Sequence, residues 1–318
     1  MIKILDCKKK NYIFQLNSLL NKRKSGTRLS TNIVTKIIND VKKNKVKALL
    51  KYEKRFSKNN EIKPSKKKIS KEIRSLDSKI KEAIDFAYNR ILKFHSKQKT
   101  KNIKYIDNLN NKLEYKIVPI ESVGIYAPAN LPSTFLMNAI PAKIAGVKRI
   151  VLANPKINGK LNPAVLYTAK KLNIKEIYSM GGAQAIASLA YIQKVNKIIG
   201  PGNDYVARAK REIFGDVGIE SMVAGPSEIC VVADKFTNVN EILTSLIGQA
   251  EHDVNSQCIL ITKNQNIINL VKKLISKNLQ SLPRKKIAEK SLKKNGLIIK
   301  VYSNEQIANV INEIAPEH

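Results

Sequence analysis

The chain has 318 residues, of which 43% are hydrophobic and 26% are charged, with 13 glycines and 11 prolines. Its length is about twice that of a typical domain, and its composition is that of a folded globular protein, which excludes a disordered or fibrous chain. No apolar run approaches the roughly 20 residues that cross a bilayer, and the N-terminus lacks the apolar core of a secretory signal. We therefore expect a cytoplasmic protein of two domains that makes no contact with membranes.

The formal net charge of +33 is compatible with a nucleic-acid partner. Residues 1–120 carry a net charge of +23, whereas residues 121–318, which contain the motifs described below, carry +10. The densest basic run, residues 63–71, contains no aromatic residue or glycine that would indicate base stacking. We favour a solvated basic surface over a specific nucleic-acid site, and a basic nucleic-acid-binding protein remains an alternative.

The three cysteines, Cys7, Cys230 and Cys258, are odd in number and have no CxxC spacing. This pattern predicts neither a disulfide framework nor a thiolate zinc site. Cys230 and Cys258 fall within predicted strands, so no cysteine is a candidate nucleophile in a loop at the end of a strand.

Helical periodicity dominates the first hundred residues. Ser30 or Thr31 is a candidate N-cap for a helix with apolar residues from 33 to 41. A second helix is predicted over residues 75–97, with an apolar stripe from Ile80 to Phe94 that should face the core. A polar connection over residues 57–71 separates these helices, and alternation over residues 113–118 predicts a strand.

From residue 123 onward, predicted strands alternate with predicted helices. The strands are expected at residues 123–126, 149–153, 176–179, 197–199, 229–233, 257–262 and 297–302. The helices are expected at residues 134–145, 163–172, 184–191, 239–251, 267–279 and 304–314. This order predicts an α/β fold of two Rossmann-like α/β units with parallel sheets, plus a helical N-terminal arm.

Ligands of parallel sheets bind in loops at the carboxyl ends of strands. Two such loops, residues 181–184 (GGAQ) and 200–203 (GPGN), precede predicted helices. Glycine N–H groups there can approach an anionic pyrophosphate, and the amide side chains can reach ribose or base. Neither loop has the full GxGxxG pattern, so the glycines alone are explained equally well by tight turns.

Gln249 and His252 are spaced three residues apart at the end of a predicted helix. This spacing places both side chains on one face, where they can converge on a cation. An oxygen and an imidazole suit zinc. Taken alone, the pair is a weak motif, and an uncoordinated surface histidine is its commoner explanation.

Taken together, the motifs of the chain resemble those of histidinol dehydrogenase. The segments that carry the resemblance, in order, are 123–128 (VGIYAP), 136–146 (LMNAIPAKIAG), 181–186 (GGAQAI), 200–203 (GPGN), 224–228 (AGPSE), 249–253 (QAEHD) and 315–318 (APEH). The resemblance implies an arm over residues 1–25, a first domain of residues 26–120 and 228–318, and an inserted nucleotide-binding domain of residues 121–227. The active cleft should lie between the two domains.

The resemblance also implies a reaction and a set of residues. The family oxidises L-histidinol to L-histidine through L-histidinal with NAD, with zinc holding the substrate, in the last steps of histidine biosynthesis. His318 would accept the proton of the alcohol, and Glu317 would activate water for hydration of the aldehyde. The residues with implied roles are Tyr126, Gln184 and Asn203 for NAD, Ser227, Gln249, His252 and His318 for the substrate, Gln249 and His252 for zinc, and Glu317 and His318 for acid-base catalysis.

Two features depart from the family pattern. Residues 128–133 (PANLPS) form a shorter loop that lacks the usual pair of glycines. The sequence ends at His318, where the family, a homodimer at full length, continues with further zinc ligands, one of them supplied by the partner subunit. We therefore expect this chain alone to be inactive, and a related zinc/NAD dehydrogenase of another small alcohol is the alternative within this class.

Overall fold

The computed structural model describes residues 2–24, 31–157, 159–220 and 227–318. Contacts divide the chain into two compact units. We call residues 1–28 with 225–318 the terminal unit, and residues 29–224 the central unit. Each unit contains a parallel sheet with helices on its faces, so the predicted α/β class is confirmed.

The elements are numbered in chain order. The strands are β1 (Lys3–Asp6), β2 (Ile103–Ile106), β3 (Lys112–Tyr115), β4 (Ser122–Tyr126), β5 (Arg149–Ala153), β6 (Glu176–Tyr178), β7 (Lys197–Ile199), β8 (Gly218–Ile219), β9 (Glu228–Ala233), β10 (Gln257–Thr262) and β11 (Gly296–Lys300). The helices are α1 (Tyr12–Lys24), α2 (Thr31–Ser57), α3 (Lys66–Arg74), α4 (Ser78–Ser96), α5 (Pro132–Ile144), α6 (Pro163–Lys171), α7 (Gly182–Tyr191), α8 (Asp204–Glu212), α9 (Val239–Ala250), α10 (Gln265–Leu279), α11 (Lys285–Asn295) and α12 (Asn304–Ile314).

The central unit has a five-stranded parallel sheet in the order β6-β5-β4-β7-β8. Its central strand, β4, is buried along its whole length. Helices α4, α5 and α6 contribute to one hydrophobic cluster of this unit, and α2, α7 and α8 contribute to another. The chain adds strands on one side of β4 up to β6 and then crosses to β7 on the other side. The strand order therefore reverses between β4 and β7, which is where ligands bind in sheets of this kind.

The terminal unit has a four-stranded parallel sheet in the order β1-β11-β10-β9. Helices α9, α10 and α11 form one hydrophobic cluster with this sheet, and α1 and α12 form another. The predicted helical arm thus begins with a strand, because Lys3 to Asp6 pair with Leu297 to Lys300. Four residues at the N-terminus are too few to show a clear alternation in the sequence.

The division into units differs from the one expected from the sequence, in which residues 26–120 accompany residues 228–318. In the structure, residues 29–120 belong to the central unit. Val34 and Leu49 of α2 share a core with Ile186 of α7, and Ile84 of α4 shares a core with Phe135 of α5. These pairs of residues are between 51 and 152 positions apart in the sequence, so helical periodicity could not reveal them.

The second predicted helix is present as α4, but its apolar stripe is only partly buried. Ile84 is buried, whereas Ile80 is 45% exposed and Phe94 is 63% exposed. The expected polar connection contains the short helix α3, whose first turn is capped by Ser65 Oγ, which accepts from Lys68 N at 3.2 Å. Ser30, a candidate N-cap of α2, lies outside the described residues, and α2 itself is interrupted at Lys45, where φ is 49°.

A two-stranded antiparallel hairpin, β2 with β3, precedes the central sheet. Its turn includes Asn110 with φ 63°. The residues of one face of the hairpin are apolar and exposed: Ile103, Tyr105, Leu113 and Tyr115. In the described part of the chain, no helix combines the length and hydropathy that a bilayer crossing requires.

The burial of aromatic residues in α4 and α5 yields a first prediction. Phe135 of α5 is fully buried, while Phe94 of α4 is mostly exposed. We expect Phe135→Ala to lower the free energy of unfolding by about 3–5 kcal/mol, because it leaves a cavity. Phe94→Ala should lower it by less than about 1 kcal/mol. Urea denaturation of both variants measures the difference, and equal losses would contradict the assigned core.

Candidate active site

The loops at the carboxyl edge of the central sheet bring two of the predicted nucleotide contacts together. Tyr126 is the last residue of β4, and Gln184 lies in the first turn of α7, which follows β6. Gly182 N donates to the Tyr126 hydroxyl at 3.4 Å. Tyr126 and Gln184 are 58 positions apart in the sequence, and both lie at the turn that begins α7.

A buried carboxylate that the sequence analysis did not identify lies beneath this turn. Glu53, near the end of α2, is 0% exposed. Its Oε1 accepts from Gly181 N at 2.9 Å and from Gln184 Nε2 at 2.8 Å. Glu53 falls four residues after Leu49 and so lies on the buried stripe of α2. A charged residue on an apolar helical stripe is the feature of the sequence from which this buried carboxylate could have been identified.

Tyr126 and Gln184 are themselves buried, with 5% and 3% of their surfaces exposed. Burial raises the pKa of the Tyr126 hydroxyl, and the charge of Glu53 raises it further, while the hydrogen bond from Gly182 N opposes both. The phenol is therefore neutral at physiological pH. Its oxygen accepts from Gly182, and its own O–H is a donor.

The second glycine loop follows β7 and is held by charged side chains. Gly200 N donates to Glu220 Oε2 at 3.1 Å, and the buried Lys210 ammonium donates to Gly200 O. Burial lowers the pKa of Lys210, partly offset by the charge of Glu220. The Asn203 side chain is exposed and caps α8, with Oδ1 accepting from Val206 N at 3.2 Å.

These contacts change the role expected of the glycines. The N–H groups of Gly181 and Gly200 bond to glutamate carboxylates, and that of Gly182 bonds to Tyr126. They are therefore occupied by protein acceptors and do not present a row of donors to a pyrophosphate. At Gly200 the need for glycine is steric, because φ is +99° and a Cβ would lie 2.1 Å from Tyr126 O.

Three of the remaining predicted residues, Ser227, Gln249 and His252, lie at the amino edge of the terminal sheet. Ser227 O accepts from Gln257 N at 3.0 Å, where β9 and β10 begin. Gln249 is in the last turn of α9 and the exposed His252 follows it. Because α9 runs from the carboxyl end of β9 to the amino end of β10, these side chains are not at a carboxyl edge, contrary to our general expectation for site loops.

Glu317 and His318 run beside β9. Cys230 N donates to His318 O at 2.9 Å, and His318 Nδ1 lies 3.1 Å from Glu228 O. The Glu317 carboxylate is 3.8 Å from His318 Nδ1, and both side chains are more than half exposed. Main-chain and ring contacts thus hold His318 against the strand.

The donors available for zinc in the terminal unit are the Gln249 amide oxygen and the His252 imidazole. Both ligand types suit zinc, and the Gln249 Nε2 atom is buried without a hydrogen-bond partner. Across residues 2–24, 31–157, 159–220 and 227–318, no three His, Cys, Asp or Glu residues form a cluster that could hold a metal. Burial raises the pKa of Cys230 to about 11, so this thiol is protonated and not a thiolate ligand or nucleophile.

The strand order and the loops at the β4 and β7 ends define a Rossmann-like α/β protein, whose topological switch point is the candidate ligand site. A family model described as histidinol dehydrogenase matches residues 20–318. The chain belongs to the histidinol dehydrogenase family, which comprises oxidoreductases of histidine biosynthesis.

Individual relatives agree with this assignment. A histidinol dehydrogenase of Pelagibacter ubique (strain HTCC1062) is 60% identical over 325 residues, covering 100% of this chain and 76% of the relative. One from Bacillus cereus is 42% identical, covering 90% of this chain and 68% of the relative. The crystal structure of histidinol dehydrogenase from Elizabethkingia anophelis superimposes with a TM-score of 0.89 at 35% identity, covering all of this chain and 75% of that one.

The steric role of Gly200 can be separated from its backbone conformation. Gly200 and Gly215 both have positive φ, +99° and +103°, but a Cβ at Gly215 would meet nothing within 4 Å. Gly215→Ala should therefore cost only the conformational penalty, about 1–2 kcal/mol. Gly200→Ala should cost about 1–3 kcal/mol more, because the loop must move away from Tyr126 O. Equal losses in urea denaturation would argue against the close approach.

Proposed function

We propose that the protein oxidises L-histidinol to L-histidine through L-histidinal, using NAD and assisted by zinc. The observation that carries the proposal is the convergence of Tyr126 and Gln184 on the switch point of the central sheet, in a chain of the histidinol dehydrogenase family. The terminal unit supplies the residues proposed for substrate, metal and proton transfer.

The NAD contacts proposed are Tyr126, Gln184 and Asn203. The neutral Tyr126 phenol can donate to an oxygen of the nucleotide. Gln184 uses its Nε2 on Glu53, which leaves Oε1 as an acceptor. Asn203 caps α8 through Oδ1, so its exposed side chain offers the Nδ2 donor at a helix N-terminus, where negative charge is stabilised.

The acid-base pair proposed is Glu317 and His318. A proton on His318 Nδ1 would be donated to Glu228 O, which leaves Nε2 able to accept the proton of the substrate alcohol as hydride leaves. The exposed Glu317 carboxylate is an acceptor that can take a proton from the water that hydrates the aldehyde. A second oxidation then gives the carboxylate, so the alcohol loses four electrons to two NAD molecules.

Gln249 and His252 are the residues proposed to hold zinc, and with Ser227 and His318 to contact histidinol. Bound zinc supplies a positive charge that anchors the substrate and stabilises its developing oxyanion. A catalytic zinc usually has about three protein ligands, so further ligands are needed beyond this pair. The Gln249 atom that lacks a hydrogen-bond partner among the described residues is Nε2, a donor that does not bind zinc, so the amide oxygen is the zinc ligand proposed.

A homodimer is proposed by analogy with the family. The exposed apolar face of the hairpin formed by β2 and β3 supports an association of this kind, because an isolated two-stranded hairpin is only marginally stable in water.

The proposed reaction predicts a specific stoichiometry. In a full-length version that carries the family's further zinc ligands, NADH absorbance should rise with L-histidinol and zinc present, and two NADH should form for each L-histidine produced. Other amino alcohols that lack the imidazole should react at a rate lower by at least about a hundredfold. Equal or faster turnover of such an alcohol would instead assign the protein to a related dehydrogenase of another substrate.

The metal assignment predicts the behaviour of His252→Ala in a full-length version of the protein. Because His252 is exposed and outside the core, the free energy of unfolding of the variant should stay within about 0.5 kcal/mol of that of the parent. The variant should lose bound zinc, measured by atomic emission after dialysis, together with histidinol oxidation. His95→Ala is the matched control, since His95 lies in the last turn of α4 in the central unit and its substitution should leave zinc content unchanged. Full zinc content in His252→Ala would remove His252 from the site.

A further inference from the structure

The carboxylate of Glu53 is unusual in its surroundings. It is 0% exposed, and an unpaired buried charge is costly. It accepts two short hydrogen bonds on Oε1, from Gly181 N and Gln184 Nε2, and a longer one of 3.4 Å on Oε2 from Asn59 Nδ2. Its partners thus include both the backbone and the side chain of the turn that begins α7.

The Glu53 carboxylate is connected to the buried Lys156 side chain through hydrogen bonds of Asn59. Asn59, 1% exposed, accepts from Lys156 Nζ at 2.7 Å through its Oδ1 and donates to Ser179 O at 2.6 Å. The Lys156 side chain is 5% exposed. This chain of contacts joins the end of α2 to the loops after β5 and β6, so the network belongs to the same loops as the proposed nucleotide contacts.

The Oε1 atom of Glu53 accepts from both Gly181 N and Gln184 Nε2. Gln184 must therefore turn its NH2 group toward Glu53 and its carbonyl oxygen away from it. That oxygen lies beside Gly182, where an added Cβ would come within 3.0 Å of it. Gly182 is partly exposed, so the Gln184 oxygen lies beside a residue of this turn that solvent or a ligand can approach.

We propose that Glu53 is a positioning residue of the nucleotide site, which holds Gln184 so that its Oε1 accepts a hydrogen bond from a hydroxyl or amide group of NAD. This inference rests on the proposed NAD-dependent function. Glu53 does not touch NAD in this scheme, and it acts only through Gln184 and the Gly181 backbone.

Three substitutions at Glu53 distinguish the effect of its hydrogen bonds to Gln184 from the effect of the volume that its side chain fills. Glu53→Gln keeps an acceptor oxygen at the position of Oε1 and should bind NADH within about threefold of the parent. Glu53→Met has similar length but no acceptor, so Gln184 is no longer held, and NADH affinity should fall by about tenfold or more. Glu53→Asp keeps the charge but withdraws it by one methylene, and should weaken binding at least about fivefold. The Asp variant serves if the Met variant does not fold, as judged by circular dichroism.

Calorimetric titration with NADH, combined with a double-mutant cycle, tests whether Glu53 acts through Gln184. Gln184→Ala should weaken NADH binding, and adding Glu53→Met or Glu53→Asp to it should change the affinity by less than about twofold. In turnover assays, the KM for NAD should rise, while the KM for histidinol and kcat at saturating NAD stay near those of the parent. A purely structural role would lower kcat and affinity together.

The outcomes are distinct for this inference and for the proposed function. Independent losses in the double mutant, or unchanged NADH affinity in folded Glu53→Met or Glu53→Asp, would overturn the role of Glu53 even if histidinol is oxidised. A full-length parent protein that binds NADH in a Glu53-dependent manner but does not oxidise histidinol would overturn the proposed function alone. A parent that binds no NADH would overturn both.

Discussion

The buried carboxylate of Glu53 is the interaction on which the geometry of the candidate nucleotide site depends. It joins the end of α2 to the first turn of α7 through Gly181 and Gln184. The oxygens of a fully buried carboxylate need hydrogen-bond donors from the protein. Here the donors come from the turn that carries the proposed NAD contact. The long N-terminal helix of the central unit is therefore part of the site's construction, as well as part of its core.

The two glycine loops are both held by a hydrogen bond between a backbone N–H and a carboxylate. Each has a glycine N–H that bonds to a glutamate, Glu53 for Gly181 and Glu220 for Gly200. Loops of this composition suggest direct binding of phosphate by backbone donors. Here the glycines let the backbone pass close to its neighbours, and side chains such as Tyr126 and Gln184 become the groups proposed to recognise NAD.

The residues proposed for the site lie at opposite edges of the sheets in the two units. In the central unit, the proposed contacts lie at the carboxyl ends of β4, β6 and β7, as expected for a doubly wound sheet. In the terminal unit, Ser227, Gln249 and His252 lie where β9 and β10 begin, and His318 lies along β9. Both units have a parallel sheet, but the residues proposed for chemistry are placed differently in each.

The sequence by itself determined the α/β class, the family and most strands and helices from residue 122 onward, because alternation and helical spacing are local properties and the family segments are contiguous. Elements with weak periodicity, such as β1, α3 and α11, were not recognised. Tertiary structure alone decided that α2 and α4 belong with the central sheet, that Ile80 and Phe94 are exposed, and that Glu53 contacts Gln184. These facts depend on which faces of distant segments meet, and that choice is made by the free energy of packing the whole chain, which no single window of sequence contains.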